Sequence, residues 1–271
     1  MLTKFARLSL LLLASQVSFI ASADISQALQ HEVRSEANKV RDDARKPEQT
    51  LRFFGVTPQS TVVEIWPGAG WYTEVLAPLL AEQGKLYAAH FSDAFTLLSS
   101  NYMQSVRSDY SKKLASHPVY QNVTLTEFAP IADMTIAPPE SADFVLSIRN
   151  QFYIFEGEQS LRHGLASFYR ALKPGGVLGV VAPLLPEDKL ETDWQGSGYV
   201  PKQLWLELAA EAGFHFEASS DLLHNPKDTA DHPDGIWSLP PALAGGETDR
   251  EKYLAIGEAH QMVLRFRKPV G

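Results

Sequence analysis

The 271-residue chain contains no cysteine. That absence excludes disulfides, thiolate metal ligands and a cysteine nucleophile. It also excludes a lipid anchor built on a cysteine after the N-terminal apolar run. A basic excess is missing too: 24 Lys and Arg stand against 32 Asp and Glu, a net charge of −8. Sequence-independent nucleic-acid binding needs clustered cations to displace counterions, so no nucleic-acid partner is expected. No G-x-S-x-G elbow and no H-E-x-x-H helix occurs, which leaves hydrolase chemistry of those kinds without support. Beyond residue 23 there is no apolar stretch long enough to cross a bilayer.

What is there begins with MLTKFARLSLLLLASQVSFIASAD. Lys4 and Arg7 precede a short apolar run from Leu8 to Ile20, and Ala21-Ser22-Ala23 is a small-residue A-x-A site. That order reads as a secretory signal peptide, residues 1–23, cleaved after Ala23. The expected location is periplasmic or secreted, with no stable membrane anchor after cleavage.

Residues 24–57 read as a helical cover. Ile25, Leu29, Val33, Ala37, Val40 and Ala44 recur at helical spacing, which predicts one amphipathic helix stopped by Pro47. Pro47 then opens a second helix carrying Leu51, Phe53 and Phe54 and ending at Gly55. The remainder, 58–271, alternates strands and helices. Strands are expected at Thr61–Trp66, Lys85–Ala89, Val123–Thr126, Ala142–Ile148, Val177–Val181, from Gly213 to Ser220, and from Gln261 to Lys268. Helices are expected at about Tyr72–Gln83, Ala94–Leu114, Gln159–Leu172 and Pro201–Ala212. This predicts an α/β fold with a mostly parallel seven-stranded sheet and helices on both faces. Residues 221–258 break the rhythm and form a long insertion before the last strand, expected to fold over the crevice as a lid.

The first strand runs into the turn Pro67-Gly68-Ala69-Gly70 and then a helix. Glycine lets backbone approach a ligand closely, and the helix N-terminus offers free N–H groups. The string VVEIWPGAGWYTEVLAP resembles the first motif of class I S-adenosylmethionine (SAM) methyltransferases. LKPGGVLGVV resembles the helix-to-fifth-strand junction of the same superfamily. RDDARKPEQTLRFFGV, the pair Arg149-Asn150, NPKDTADHPDGIWSLPP and DREKYLAIGE extend the likeness over nearly the whole chain. They resemble a bacterial family of predicted class I SAM-dependent methyltransferases made with a signal peptide.

That resemblance implies a Rossmann-like methyltransferase fold, SAM as cofactor, and a small-molecule or envelope acceptor. It implies that Glu64 orients the ligand-binding loop and the methionine end of SAM, with Gly68 and Gly70 as glycines of the turn. Trp66 stands where the superfamily has its first glycine, and its indole either caps the pocket or fills it. His90 stands at the position of the acid that holds the ribose hydroxyls, with Asp93 as a substitute. Glu127 and Phe128 fall where the adenine is held. Arg149 and Asn150 face the methyl-transfer position, Arg149 as a cofactor contact. Apart from the resemblance, Asn150, Tyr153 and His232 are the candidates for a catalytic role, His232 first and Tyr153 second should a general base be needed.

A second class stays open: an exported ligand-binding or accessory protein on a catalytically inactive methyltransferase scaffold. The loop residues His224, Asp228, Asp231, His232 and Asp234 are of metal-ligating types. Their spacing matches no known loop, and Asp-Pro-Gly clusters are chiefly turn formers, so no metal is assigned.

Overall fold

The computed structural model describes residues 25–92, 100–131, 134–150 and 157–271. The expected signal peptide, Asp93 and Tyr153 lie outside the described residues.

The cover departs from expectation. Residues 25–29 are helical, but the chain then turns, and only α1 (Glu36–Lys39) and α2 (Asp42–Arg45) follow before α3 (Pro47–Phe54). The single amphipathic helix is therefore three short pieces. The cause is a buried charge. Arg34, on the expected polar side, is 2% exposed and holds Asp42 through two hydrogen bonds of 2.6 and 2.8 Å. Its guanidinium lies 5.2 Å from the Trp71 ring centroid. Val40, on the expected apolar face, is 77% exposed. Pairing a buried guanidinium has overridden the periodicity, because an unpaired buried charge costs more than a few exposed methyls. The second helix forms as expected, with Pro47 opening it and Gly55 ending it.

All seven strands are present: β1 (Thr61–Ile65), β2 (Lys85–Phe91), β3 (Val123–Phe128), β4 (Ala142–Ile148), β5 (Leu172–Pro183), β6 (His215–Ser220) and β7 (Gln261–Arg267). The order across the sheet is β3-β2-β1-β4-β5-β7-β6. Every pairing is parallel except those of β7, which runs antiparallel to both β5 and β6. The helices between them are α4 (Thr73–Leu80), α5 (Ser100–Ser116), α6 (Glu158–Ala171) and α7 (Lys202–Glu211). Of these, α4 ends at Leu80, earlier than the expected Gln83.

Because β1 is central, both its faces are covered, and its β-branched run suits that position. Val63 and Ile65 enter one apolar core, while Val62 enters the other, where it meets α3 and α4 residues such as Leu51, Phe54 and Leu76. Strand alternation puts Glu64 on the Val62 side, at the carboxyl end of the strand and against α4.

Residues 221–258 contain a 3₁₀ turn (Gly235–Ser238) and α8 (Arg250–Ile256). Ile236, Leu239 and Tyr253 pack with Leu185, Tyr199 and Ala259 into a small core of their own. The segment is thus a packed appendage beside the sheet edge, and it returns the chain so that β7 can slot between β5 and β6.

Candidate functional site

The sheet order reverses between β1 and β4, since β1 continues to β2 on one side and β4 to β5 on the other. In doubly wound sheets the connections diverge at such a point and leave a crevice outside the carboxyl ends of the strands. A cavity of 280 Å³ lies there. Its size is near the lower end of small-molecule sites, about 300–1,000 Å³. Its lining includes Glu64, Trp66, Gly68, Phe91, Tyr102, Arg149 and Asn150, with Asn38, Arg41 and Arg45 contributed by the N-terminal cover.

Both strands that border the crevice end in a non-glycine residue with positive φ: Trp66 at 44° after β1 and Arg149 at 60° after β4. Such a conformation costs roughly 1–2 kcal/mol per residue and persists only where the surroundings enforce it. For Trp66 the enforcement is visible. Its backbone N–H donates to Ala89 at 2.8 Å, and its indole Nε1–H donates to the Phe128 carbonyl at 2.9 Å. The ring sits 5.0 Å from Phe91 and 5.6 Å from Phe128 and is 4% exposed. The indole therefore fills the space across the ends of β1, β2 and β3, while Trp66 also lines the cavity that stays open beside it.

Glu64 is buried, and Thr73 on α4 donates its hydroxyl to it at 2.7 Å. The Thr73 oxygen also lies 3.1 Å from the Tyr110 hydroxyl. Burial pushes the Glu64 carboxyl up to about 7, against the pull of the Thr73 bond and the positive charge of Lys113. The turn closes through Gly70 N–H donating to Pro67 at 2.8 Å. Its two glycines do different work. A Cβ on Gly70 would meet Lys113 at 2.9 Å and the Tyr110 ring at 3.1 Å, whereas a Cβ on Gly68 would point into open space. Gly68 faces the crevice; Gly70 lets α5 close over the turn.

His90 is 1% exposed, and both ring nitrogens are committed. Nδ1 accepts the Phe91 N–H at 2.8 Å, and Nε2 lies 3.1 Å from the Gly68 carbonyl. An acceptor at Nδ1 makes the neutral ring a donor at Nε2, so His90 braces the glycine turn from below. Burial lowers its pKa to about 4. It has no nitrogen left for a ribose. Glu127 is exposed and paired with Arg107 at 2.9 Å, and Phe128 is fully buried in the core. None of His90, Glu127 and Phe128 lines the cavity. Asn150 does, but its amide donates to the Ile65 carbonyl at 2.5 Å and so ties the end of β4 to the end of β1.

His232 lies elsewhere. It is 8% exposed and bonds Asp228 at 3.0 Å, and the same carboxylate accepts from the Tyr199 hydroxyl at 2.8 Å and from the Ala230 and His260 N–H groups at 3.0 and 2.7 Å. Asp228 is the hub that folds the insertion, and His232 serves it away from the crevice.

No described residue of the insertion lines the crevice, so the expected lid is not seen there; the insertion instead reaches three arginines of the crevice wall through one residue that sequence reasoning passed over. Glu258 pairs with Arg41 at 2.7 Å, with Arg45 at 3.2 Å and with Arg149. Arg41 and Arg45 were also passed over as the polar face of a helix. Their spacing of one helical turn was a usable signal; the partner, distant in sequence, was not.

By sequence, no family model and no curated protein matches the chain. By structure it is similar to a SAM-dependent methyltransferase from Aquifex aeolicus at 16% identity, with a TM-score of 0.55, covering 91% of this chain and 98% of that one. It is similar to the [4+2]-cyclase SpnF at 19% identity and TM-score 0.58, over 89% of this chain and 86% of that one. The geranyl diphosphate C-methyltransferase from Streptomyces coelicolor A3(2), solved with S-adenosyl-L-homocysteine, matches at 12% identity and TM-score 0.57, over 84% and 81%. The chain has the Rossmann-like fold of class I SAM-dependent methyltransferases. At these identities the fold is what is shared, and fold alone does not fix chemistry.

Proposed function

We propose that the protein is a SAM-dependent methyltransferase whose cofactor enters the crevice between β1 and β4. The observation that carries this is Gly68, which presents open backbone to a cavity at the topological switch point beside a buried acid, Glu64. The fold and the SAM-dependent neighbours support it. Glu64 and the backbone of Gly68 would hold the amino-acid half of SAM, and Phe91 and Tyr102 offer apolar walls. The ribose role expected of His90 does not fit, because both of its nitrogens serve backbone groups.

SAM supplies the electrophilic sulfonium methyl. The chain's own residues position the reactants and exclude water, which is where most of the advantage in such a transfer arises. Asn150 keeps the strand ends in register, and His90 keeps the Gly68 carbonyl turned away from the crevice. We further propose that the chain is exported, cleaved after Ala23, and acts on a small molecule or an envelope component.

One observation favours a second reading, a ligand-binding or accessory protein on the same scaffold. The Trp66 indole stands where the resemblance implies a glycine of the turn, and His90, where it implies the acid that holds the ribose, is committed to backbone groups. Isothermal titration of the purified protein with S-adenosylhomocysteine separates the two. Saturable binding that weakens in Gly68→Val supports the enzyme; no binding, together with a different small molecule carried through purification, supports the second reading.

A further inference from the structure

Three arginines that line the cavity over the glycine turn, Arg41, Arg45 and Arg149, converge with their guanidinium groups on the single carboxylate of Glu258. One carboxylate accepts at about four positions, while three guanidiniums offer about fifteen N–H donors. Beside them, Arg34 and Asp42 show what a balanced pair looks like: one guanidinium, one carboxylate, two short bonds. The cluster is therefore short of negative charge, in a chain whose net charge is −8. Burial and the neighbouring cations lower the pKa of both Arg45 and Arg149, and Glu258 opposes this. Arg45 is also fixed in place, its guanidinium 4.6 Å from the Trp71 ring centroid.

The three arginines come from two sides of the crevice, Arg41 and Arg45 from the cover and Arg149 from the end of β4. Glu258 is brought to them by the insertion. Asn225 holds that segment, donating its amide to the Ile256 and Glu258 carbonyls at 3.0 and 2.7 Å. An arrangement that only tied cover to sheet would need one arginine for one carboxylate. Rigid, partly desolvated arginine forks open to a cavity are what recognition of a carboxylate or phosphate requires.

We propose that Arg41, Arg45 and Arg149 form the receptor for an anionic group, carboxylate or phosphate, of the acceptor substrate, and that Glu258 occupies part of that receptor until the acceptor arrives. The word acceptor rests on the methyltransferase reading; the anion receptor stands on the cluster itself.

The test is a titration of the purified protein with inorganic phosphate, followed by ³¹P NMR and calorimetry, with and without saturating S-adenosylhomocysteine. The wild type is expected to bind phosphate saturably. Arg45→Gln should lose at least roughly tenfold in affinity, the scale of one charge-assisted hydrogen bond. Glu258→Gln removes the internal competitor and should gain roughly tenfold by the same scale. Should Arg45→Gln not fold, wild type and Glu258→Gln still decide: absence of saturable phosphate binding in both overturns the proposal. So does a phosphate affinity that falls in Glu258→Gln. If S-adenosylhomocysteine displaces phosphate, the cluster serves the cofactor's carboxylate and the assignment to the acceptor is overturned. If S-adenosylhomocysteine does not bind while phosphate does, the methyltransferase reading fails and the anion receptor survives.

Discussion

His90 Nε2 lies 3.1 Å from the carbonyl oxygen of Gly68, and this bond braces the glycine turn from below. His90 has to stay neutral because its Nδ1 accepts the Phe91 N–H, which a protonated ring cannot do. Its pKa of about 4 lies below the ordinary value of 6.5, so the folded state binds fewer protons than the unfolded one between those values. Stability contributed by the neutral ring is fully present above pH 6.5 and is lost as pH falls towards 4, to a limit of roughly 3 kcal/mol. His90→Asn should remove this contribution and leave the opposing one of Glu64. Chemical denaturation from pH 4 to pH 7 measures it.

Glu64 has the opposite slope. Its pKa of about 7 lies above the ordinary 4.5, so the folded state binds more protons between those values, and stability falls as pH rises through that window. The limit is again roughly 3 kcal/mol. In the wild type the two slopes oppose each other and the profile from pH 4.5 to 6.5 should be shallow as far as these groups go. Glu64→Gln should leave a profile that rises with pH, and His90→Asn one that falls. A steep wild-type profile with both variants unchanged contradicts this account.

The two glycines of the turn should separate binding from stability. Gly70→Ala forces a methyl against Lys113 and Tyr110 at positive φ and should cost about 1–3 kcal/mol. Gly68→Ala meets nothing and should cost only the backbone term, about 1 kcal/mol. Binding of S-adenosylhomocysteine should nevertheless suffer more in Gly68→Ala. Thermal melts and calorimetry on the same preparations read both quantities.

Trp66 should behave as a core residue. Trp66→Phe removes the hydrogen bond to the Phe128 carbonyl, which keeps the Ser92 N–H as a donor at 3.2 Å, so the loss should be near 1 kcal/mol beyond packing. Trp66→Gly relieves the positive φ but empties an aromatic site, and a net loss of about 2–4 kcal/mol is expected. Urea midpoints of the two variants give the comparison.

The sheet was legible because its strands announce themselves locally. Thr61–Ile65 and Ala142–Ile148 are β-branched and apolar, bounded by turn residues, and nothing tertiary overrules them. The cover was not, since the burial of Arg34 depends on Trp71 and Asp42 meeting it in space. Glu64, Gly68, Arg149 and Asn150 were placed at the crevice from sequence, and they line it. His90 was assigned a ligand role because position suggests one, but which partners its two nitrogens find is a matter of the turn's folded shape. Arg41 and Glu258 are joined across 217 positions of sequence, a separation at which no local pattern carries information.

The most direct test of the central claim is a crystal structure of the purified protein grown with S-adenosylhomocysteine. The account predicts ligand density over Gly68 and beside Glu64, with the Trp66 indole still bonded to the Phe128 carbonyl. An empty crevice at saturating ligand, or S-adenosylhomocysteine bound away from the glycine turn, would contradict it.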